Sequence, residues 1–175
     1  MAANWTDFVS GAVLTASQLN GVLDDFSDVA IFTEEQASGT NAGTFTSGSY
    51  AKRTLNTTVV NNIASCTLTS SVISLPAGTY EVRANSQGLL CGLHKARLQN
   101  TTAATTLAIG TTVFASNTSD GWAVSDIYTV FTLSVTSDIE LQSRCATTQA
   151  TNGLGSAANF GDVEVYRQIM IRRIA

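Results

Sequence analysis

Residues 162–174 read DVEVYRQIMIRRI, and their alternation decides the fold class. Val163, Val165, then Gln168 or Ile169, and Ile171 form one series, with Glu164, Arg167 and Arg172 set between them. A period of two belongs to a strand with one apolar and one wet face. The pattern predicts a strand over 162–174 with its valines and isoleucines turned inward. Upstream, Leu75-Pro-Ala-Gly-Thr-Tyr80 reads as a turn, because Pro76 presets φ and Gly78 supplies a permissive backbone position. Similar texture predicts strands at 44–50, 53–60, 63–69, 72–75, 79–84, 93–100, 105–110, 112–115, 122–135 and 139–146. Short strands with turns every 8–12 residues indicate a mainly β chain, an antiparallel sandwich or jelly roll. No internal repeat of fixed period interrupts them.

Composition agrees. The 175 residues (18.3 kDa) suffice for one ordinary domain, and 44% of them are hydrophobic. Charged residues are only 13%, about half the ~25% usual for soluble proteins. Thr, Ser, Asn and Gly stand in their place, which favours strands and turns over helices. Net charge −4 and a pI near 4.7 argue against nucleic-acid binding. No apolar run approaches the ~18 residues of a membrane span, so no membrane insertion is expected. Met1–Asn4 lacks a basic start, so no secretory leader is expected either. Cys66, Cys91 and Cys145 are odd in number and form no CxxC pair, which predicts buried thiols rather than disulfides. Four Asn-x-Ser/Thr sequons, at Asn4, Asn56, Asn100 and Asn117, then reflect Thr-rich composition rather than glycosylation.

Charge divides the chain. Residues 1–51 hold six acidic side chains and no basic one; from Lys52 onward there are nine basic and seven acidic. Thr15-Ala-Ser-Gln18 reads as a capping box, predicting a helix over 16–32. Leu19, Val22, Phe26 and Val29 are spaced 3-4-3 and would make one narrow seam, with Asp24, Asp25 and Asp28 off it. Such a short helix needs a partner, either copies of itself or the β domain. The expected organisation is an anchor segment and helix at 1–36, a small-residue linker at 37–43 and a β head at 44–175.

Chemistry is sparse. His94 is the one histidine, and Cys91 at i−3 has no second pair to complete a zinc tetrahedron. The simpler reading is a structural histidine, with a catalytic base as the alternative. No Gly-x-Ser-x-Gly elbow and no phosphate loop occurs. Asp162 and Glu164 share a strand face and would more simply be solvated or ion-paired than work as acid and base. No metal, cofactor or enzymatic activity is therefore expected. Arg83, Lys95, Arg97 and Arg144 fall inside predicted strands, where pairing with Glu81, Asp138 or Glu164, within or between subunits, competes with simple solvation. Arg172 and Arg173 read as a solvated chain end. Phe114, Trp122 and Tyr128 are candidates for a glycan-stacking surface, although core packing is the simpler assignment for each.

The residues Trp5-x-x-Phe8-Val9-x-Gly11-x-Val13-Leu14-Thr15-Ala16-x-Gln18-Leu19-Asn20 resemble the opening of many tailed-bacteriophage appendage proteins. In that family the segment fastens diverse C-terminal modules to the virion. Gly43–Gly48 (GTFTSG), Leu75–Tyr80 (LPAGTY), His94–Leu98 with Asn100, Arg144–Thr147, Asn152–Gly155 and Phe160–Tyr166 resemble the phage tail-fibre module of TNF/C1q-like jelly-roll type. Together the two resemblances cover nearly the whole chain. They imply a homotrimer located in the virion, with Trp5, Phe8, Val9, Val13 and Leu14 docking on a tail, baseplate or capsid protein. A threefold axis would also suit the seam at Leu19, Val22, Phe26 and Val29, and would bury the low-charge strand faces. A short tail fibre or receptor-binding tip is the expectation, with Asn117, Asp120 and Trp122 as the receptor-facing loop and a host surface glycan or receptor as candidate partner. A capsid decoration protein or head fibre is the alternative, and a carbohydrate-active enzyme a third. The short linker implies a stubby projection rather than a long shaft.

Overall fold

In the computed structural model, residues 28–118 and 120–174 are described. They form twelve strands: β1 (Val29–Gln36), β2 (Ala51–Lys52), β3 (Thr57–Asn61), β4 (Thr67–Thr69), β5 (Val72–Leu75), β6 (Gly78–Leu89), β7 (Gly92–Asn100), β8 (Thr105–Ile109), β9 (Val113–Ala115), β10 (Trp122–Leu133), β11 (Ser137–Cys145) and β12 (Glu164–Arg173). Every pairing is antiparallel. One sheet runs β10-β6-β12-β1-β3 and the other β4-β5-β11-β7-β8, with β2 beside β11 and β9 beside β7. Two layers of alternating strands are the expected sandwich.

Alternation puts Tyr80, Val82 and Ala84 of β6, Ala96 and Leu98 of β7, and Ile139 and Leu141 of β11 into the space between the sheets. Phe32, Ile73, Leu75, Ile169 and Ile171 complete the same core, each fully buried. A Leu or Ile so buried contributes about 1.5–3 kcal/mol, which makes this layer the main source of stability. The predicted turn between β5 and β6 is closed by the Tyr80 hydroxyl, which donates to the Pro76 carbonyl at 2.8 Å. Cys66, Cys91 and Cys145 are buried and free.

Several expectations are corrected. The helix expected over 16–32 cannot extend to its end, because Val29 opens β1 and pairs with Arg172. β1 lies inside the five-stranded sheet between β12 and β3, so the sandwich begins before residue 44. Ladder hydrogen bonds on both sides of residues 29–36 outweigh the helical spacing read there. The other seam residues (Leu19, Val22, Phe26) and the anchor residues (Trp5, Phe8, Val9, Val13, Leu14) lie outside the described part.

The supposed linker, 37–43, is folded onto the sandwich. Ala42 N–H donates to Gly155 O at 3.0 Å and the Tyr166 hydroxyl to Thr40 O at 2.6 Å. Gly39 (φ +79°) allows the tight turn that a side chain would strain. Residues 44–50 make only an isolated bridge, Phe45 to Gln149, between Gly43 (φ +103°) and Gly48 (φ +108°).

The phase of the last strand is inverted at its start. A register shift opposite Glu34/Glu35 leaves Tyr166 without a cross-strand partner in β1, so Tyr166 and Arg167 both point inward. Val163 and Val165 are exposed in consequence, and Glu164 is buried. Glu164 has no ion-pair partner among the described residues. Its carboxylate accepts N–H bonds from Ala158 (3.0 Å), Asn159 (2.8 Å) and Gly39 (3.1 Å), which hold its pKa below the ordinary carboxyl range. Arg167 is paired instead with Glu34, directly opposite on β1, and donates to Leu154 O at 3.2 Å. Neither charge of this pair reaches solvent.

The last correction concerns the chain end. Arg172 and Arg173 are half-buried members of β12, and Arg173 donates to Ala77 O at 3.0 Å.

Candidate functional site

Phe114, Trp122 and Tyr128 are not core residues: they are 62%, 60% and 68% exposed. They divide between the two outer faces of the sandwich and give each a distinct chemistry.

On the five-stranded sheet, register places Ile31, Met170, Arg83 and Tyr128 in one cross-strand row, with Val29, Arg172, Glu81 and Val130 in the next. Tyr128, Val130 and neighbouring Val59 are all more than half exposed. Two of the polar members pair within the chain. Arg83 pairs with Glu81 at 3.2 Å and lies 4.8 Å from the Tyr128 ring, and the Tyr128 hydroxyl donates to Glu81 at 2.9 Å. Tyr128 and Arg83 together hold the Glu81 carboxyl below its ordinary range. The face carries a shallow groove of about 770 Å³ in which Val59, Ile31, Met170 and Tyr128 stand beside the polar Asn85, Asp126 and Gln168.

The seven-stranded sheet presents charge. Here β7 and β11 pair so that Lys95 sits directly opposite Arg144, with Arg97 opposite Gln142 in the next row. Arg97 Nε donates to Gln142 at 2.8 Å and its guanidinium lies 4.1 Å from the Tyr50 ring. Leu93 pairs with Phe114 of β9 at the other end of the row, both exposed. A groove of about 600 Å³ crosses this face between Tyr50 and Thr112. Of the four strand cations, Arg83 has the expected carboxylate partner, Arg97 a neutral one, and Lys95 and Arg144 have none among the described residues. Only register could reveal this juxtaposition, since the two residues lie on strands far apart in sequence.

The loop proposed for receptor contact connects β9 to β10 at one end of the sandwich. Asn117 and Asp120 are exposed, and Asp120 takes φ +44°. Gly121 closes the loop against backbone: a Cβ there would lie 2.1 Å from Ser116 O. Trp122 begins β10 rather than belonging to the loop tip, and its Nε1 donates to Gln87 at 3.2 Å. Asn117 and Asp120 thus belong to one exposed loop, whereas Trp122 lies on the five-stranded face.

His94 is buried between the sheets, edge-on to Phe45 with ring centroids 6.0 Å apart. Cys91 and His94 fill the space that Gly88 leaves, where a Cβ would come within 2.6 Å of Cys91 Sγ. Arg53 lies 4.9 Å from the other partner, the Phe45 ring, and burial pushes its guanidinium down to about 9. Burial, reinforced by Arg53, lowers His94 to about 4, so it is neutral at pH 7. Among the described residues no group of three or more His, Cys, Asp or Glu side chains could hold a metal ion.

A pH prediction follows. The unfolded chain protonates His94 near 6.5, whereas the folded chain resists protonation until about 4. Stability is therefore level above pH 6.5 and falls as pH drops through that window, by about 2 kcal/mol after allowance for screening. His94→Gln should flatten urea-unfolding free energy between pH 6.5 and 5. An unchanged slope would assign the acid sensitivity to another group.

The architecture has known counterparts. A TNF-family Eiger from S. frugiperda has 14% identity, with 84% of this chain covering 92% of that one at a TM-score of 0.54. The globular domain of zebrafish complement C1qA has 11% identity, 85% and 98% coverage and a TM-score of 0.50. Murine APRIL at pH 5.0 gives 9%, 82% and 97%, and 0.51. No protein-family profile and no curated protein sequence matches the chain. At these identities the likeness is one of fold: a mainly β, antiparallel sandwich of TNF/C1q-like type.

Proposed function

We propose that this protein is a non-enzymatic bacteriophage structural protein, a short trimeric tail fibre or receptor-binding tip joined to the virion through its N-terminal segment. The observation that carries the trimer is the five-stranded face, where Tyr128, Val130 and Val59 stand bare beside an Arg83–Glu81 pair made within the chain. A second and third copy of this chain are the occupants, because copies meeting there add apolar burial over the Arg83–Glu81 pair that the chain has already made. The virion assignment rests on the N-terminal resemblance carried by Trp5, Phe8, Val9, Val13 and Leu14. A trimer also suits adhesion, since three weak contacts sum to useful avidity.

Only residues 21–28 separate the end of that resemblance at Asn20 from β1 at Val29. This leaves no room for a long shaft between them and keeps a second reading open, a capsid decoration protein or head fibre on a threefold axis. Immunogold labelling of intact virions with antibody to the β head separates the two. Label at the tail end is expected; label scattered over the capsid would leave decoration as the function. A chain lacking residues 1–14 should fold but fail to join virions, and incorporation of that truncation would refute the anchor.

A further inference from the structure

We propose that the groove over Lys95 and Arg144 binds the anionic group of an acidic surface polysaccharide, a carboxylate or a phosphate ester, with a sugar ring lying on Phe114. The argument begins with register. Lys95 and Arg144 are direct cross-strand partners on the outer face of β7 and β11. Like charges so placed repel, and a sheet carries that cost unless an anion bridges them. Neither side chain has a hydrogen-bond or ion-pair partner among the described residues, whereas Arg83 and Lys52 each reach a carboxylate.

Their surroundings fit one class of ligand. The groove of about 600 Å³ runs between the segment holding Ser47 and Tyr50 and the side chain of Thr112, so hydroxyl groups flank the paired cations. That segment is pinned, since Ser47 N–H donates to the Thr148 hydroxyl at 3.0 Å. The apolar partners Leu93 and Phe114 continue the same face. Leu93 lines the groove and Phe114 lies beyond its edge, so an apolar patch adjoins two unpaired cations, which suits an acidic sugar that offers an anion and a C–H face together. The face is a poor site for a two-fold pairing of copies, because back-to-back contact would oppose Lys95, Arg97 and Arg144 with their own kind. It is equally poor for nucleic acid, which asks for a longer basic track on a protein that here carries net charge −4.

This inference rests on the adhesion reading, and its test is independent of virion location. Isothermal titration of the full chain would use polygalacturonate as the carboxylate probe and a glycerol-phosphate polymer as the phosphate probe. Dextran and a single-stranded oligothymidylate serve as the neutral and nucleic-acid comparisons. One acidic polymer should bind and weaken as salt rises, and which one binds identifies the anion. Lys95→Gln and Arg144→Gln should each weaken binding roughly tenfold or more while the melting temperature stays level or rises. Phe114→Ala should weaken binding without changing its salt slope. Equal binding of dextran, tighter binding of oligothymidylate, retained affinity in the double glutamine variant or no binding at all would overturn the proposal. Tail label without binding would remove this site and leave adhesion standing; binding with capsid label would do the reverse.

Discussion

Glu34→Ala should unfold the head at temperatures where the native chain is stable. Glu34 and Arg167 are cross-strand partners at the centre of the five-stranded sheet, and both are sealed from solvent. Removing the carboxylate leaves a buried guanidinium whose remaining described side-chain bond is to Leu154 O. Breaking one half of such a pair costs about 3–5 kcal/mol. A domain of this size has about 5–15 kcal/mol in total, so the loss is a large share of it. The melting temperature should fall by roughly 10 °C or more. Burial already presses the Arg167 guanidinium down to about 9, so at neutral pH it stays charged beside Glu34. Replacing both partners by apolar residues, Glu34→Leu with Arg167→Met, should recover most of the loss, because the desolvation cost goes with the charges. Urea unfolding of the three proteins checks this. If Glu34→Ala lies within about 1 kcal/mol of the native chain, the pair is not a structural determinant.

The second large effect concerns assembly. The native chain should sediment at three times 18.3 kDa, and Val130→Glu should return it to the monomer. Val130 is 57% exposed in the single chain and stands opposite Glu81, so a carboxylate there would meet both apolar burial and a like charge. Burying an unpaired charge at each of three symmetric contacts costs about 3 kcal/mol or more per contact. Tyr128→Phe should act in the same direction but weakly, since it keeps the ring and loses only the bond to Glu81. The melting temperature of the Val130→Glu monomer should show that the fold itself survives. Analytical ultracentrifugation across micromolar concentrations makes the measurement. A native chain that is monomeric throughout would end the trimer reading, and a trimeric Val130→Glu variant would move the interface elsewhere.

Charge along the chain was legible, but its meaning was not. Six acids before residue 52 and an excess of bases after it suggested two separate pieces. In the folded chain the same asymmetry serves contact, because Glu34 of the acidic segment is the partner of Arg167 in the last strand. Residues 29–36, VAIFTEEQ, carried two compatible periods. Val29 suited a helical seam, while Ala30 and Phe32 against Val29 and Ile31 also alternate as a strand. The decision came from β12 and β3, which supply backbone partners on both sides and place Ala30 and Phe32 in the core.

The sequence by itself determined a β sandwich, through period-two alternation, the turn at Pro76 and Gly78, and too little charge for a helical surface. It also marked Lys95, Arg144, Phe114, Trp122 and Tyr128 as residues to explain. Only the tertiary structure decided which way each side chain faces and what lies opposite it. Alternation sets a period but not a phase, and the shift beside Tyr166 moved Val165 out and Glu164 in. Register likewise depends on distant backbone hydrogen bonds, which is why the meeting of Lys95 with Arg144 is a property of the fold alone.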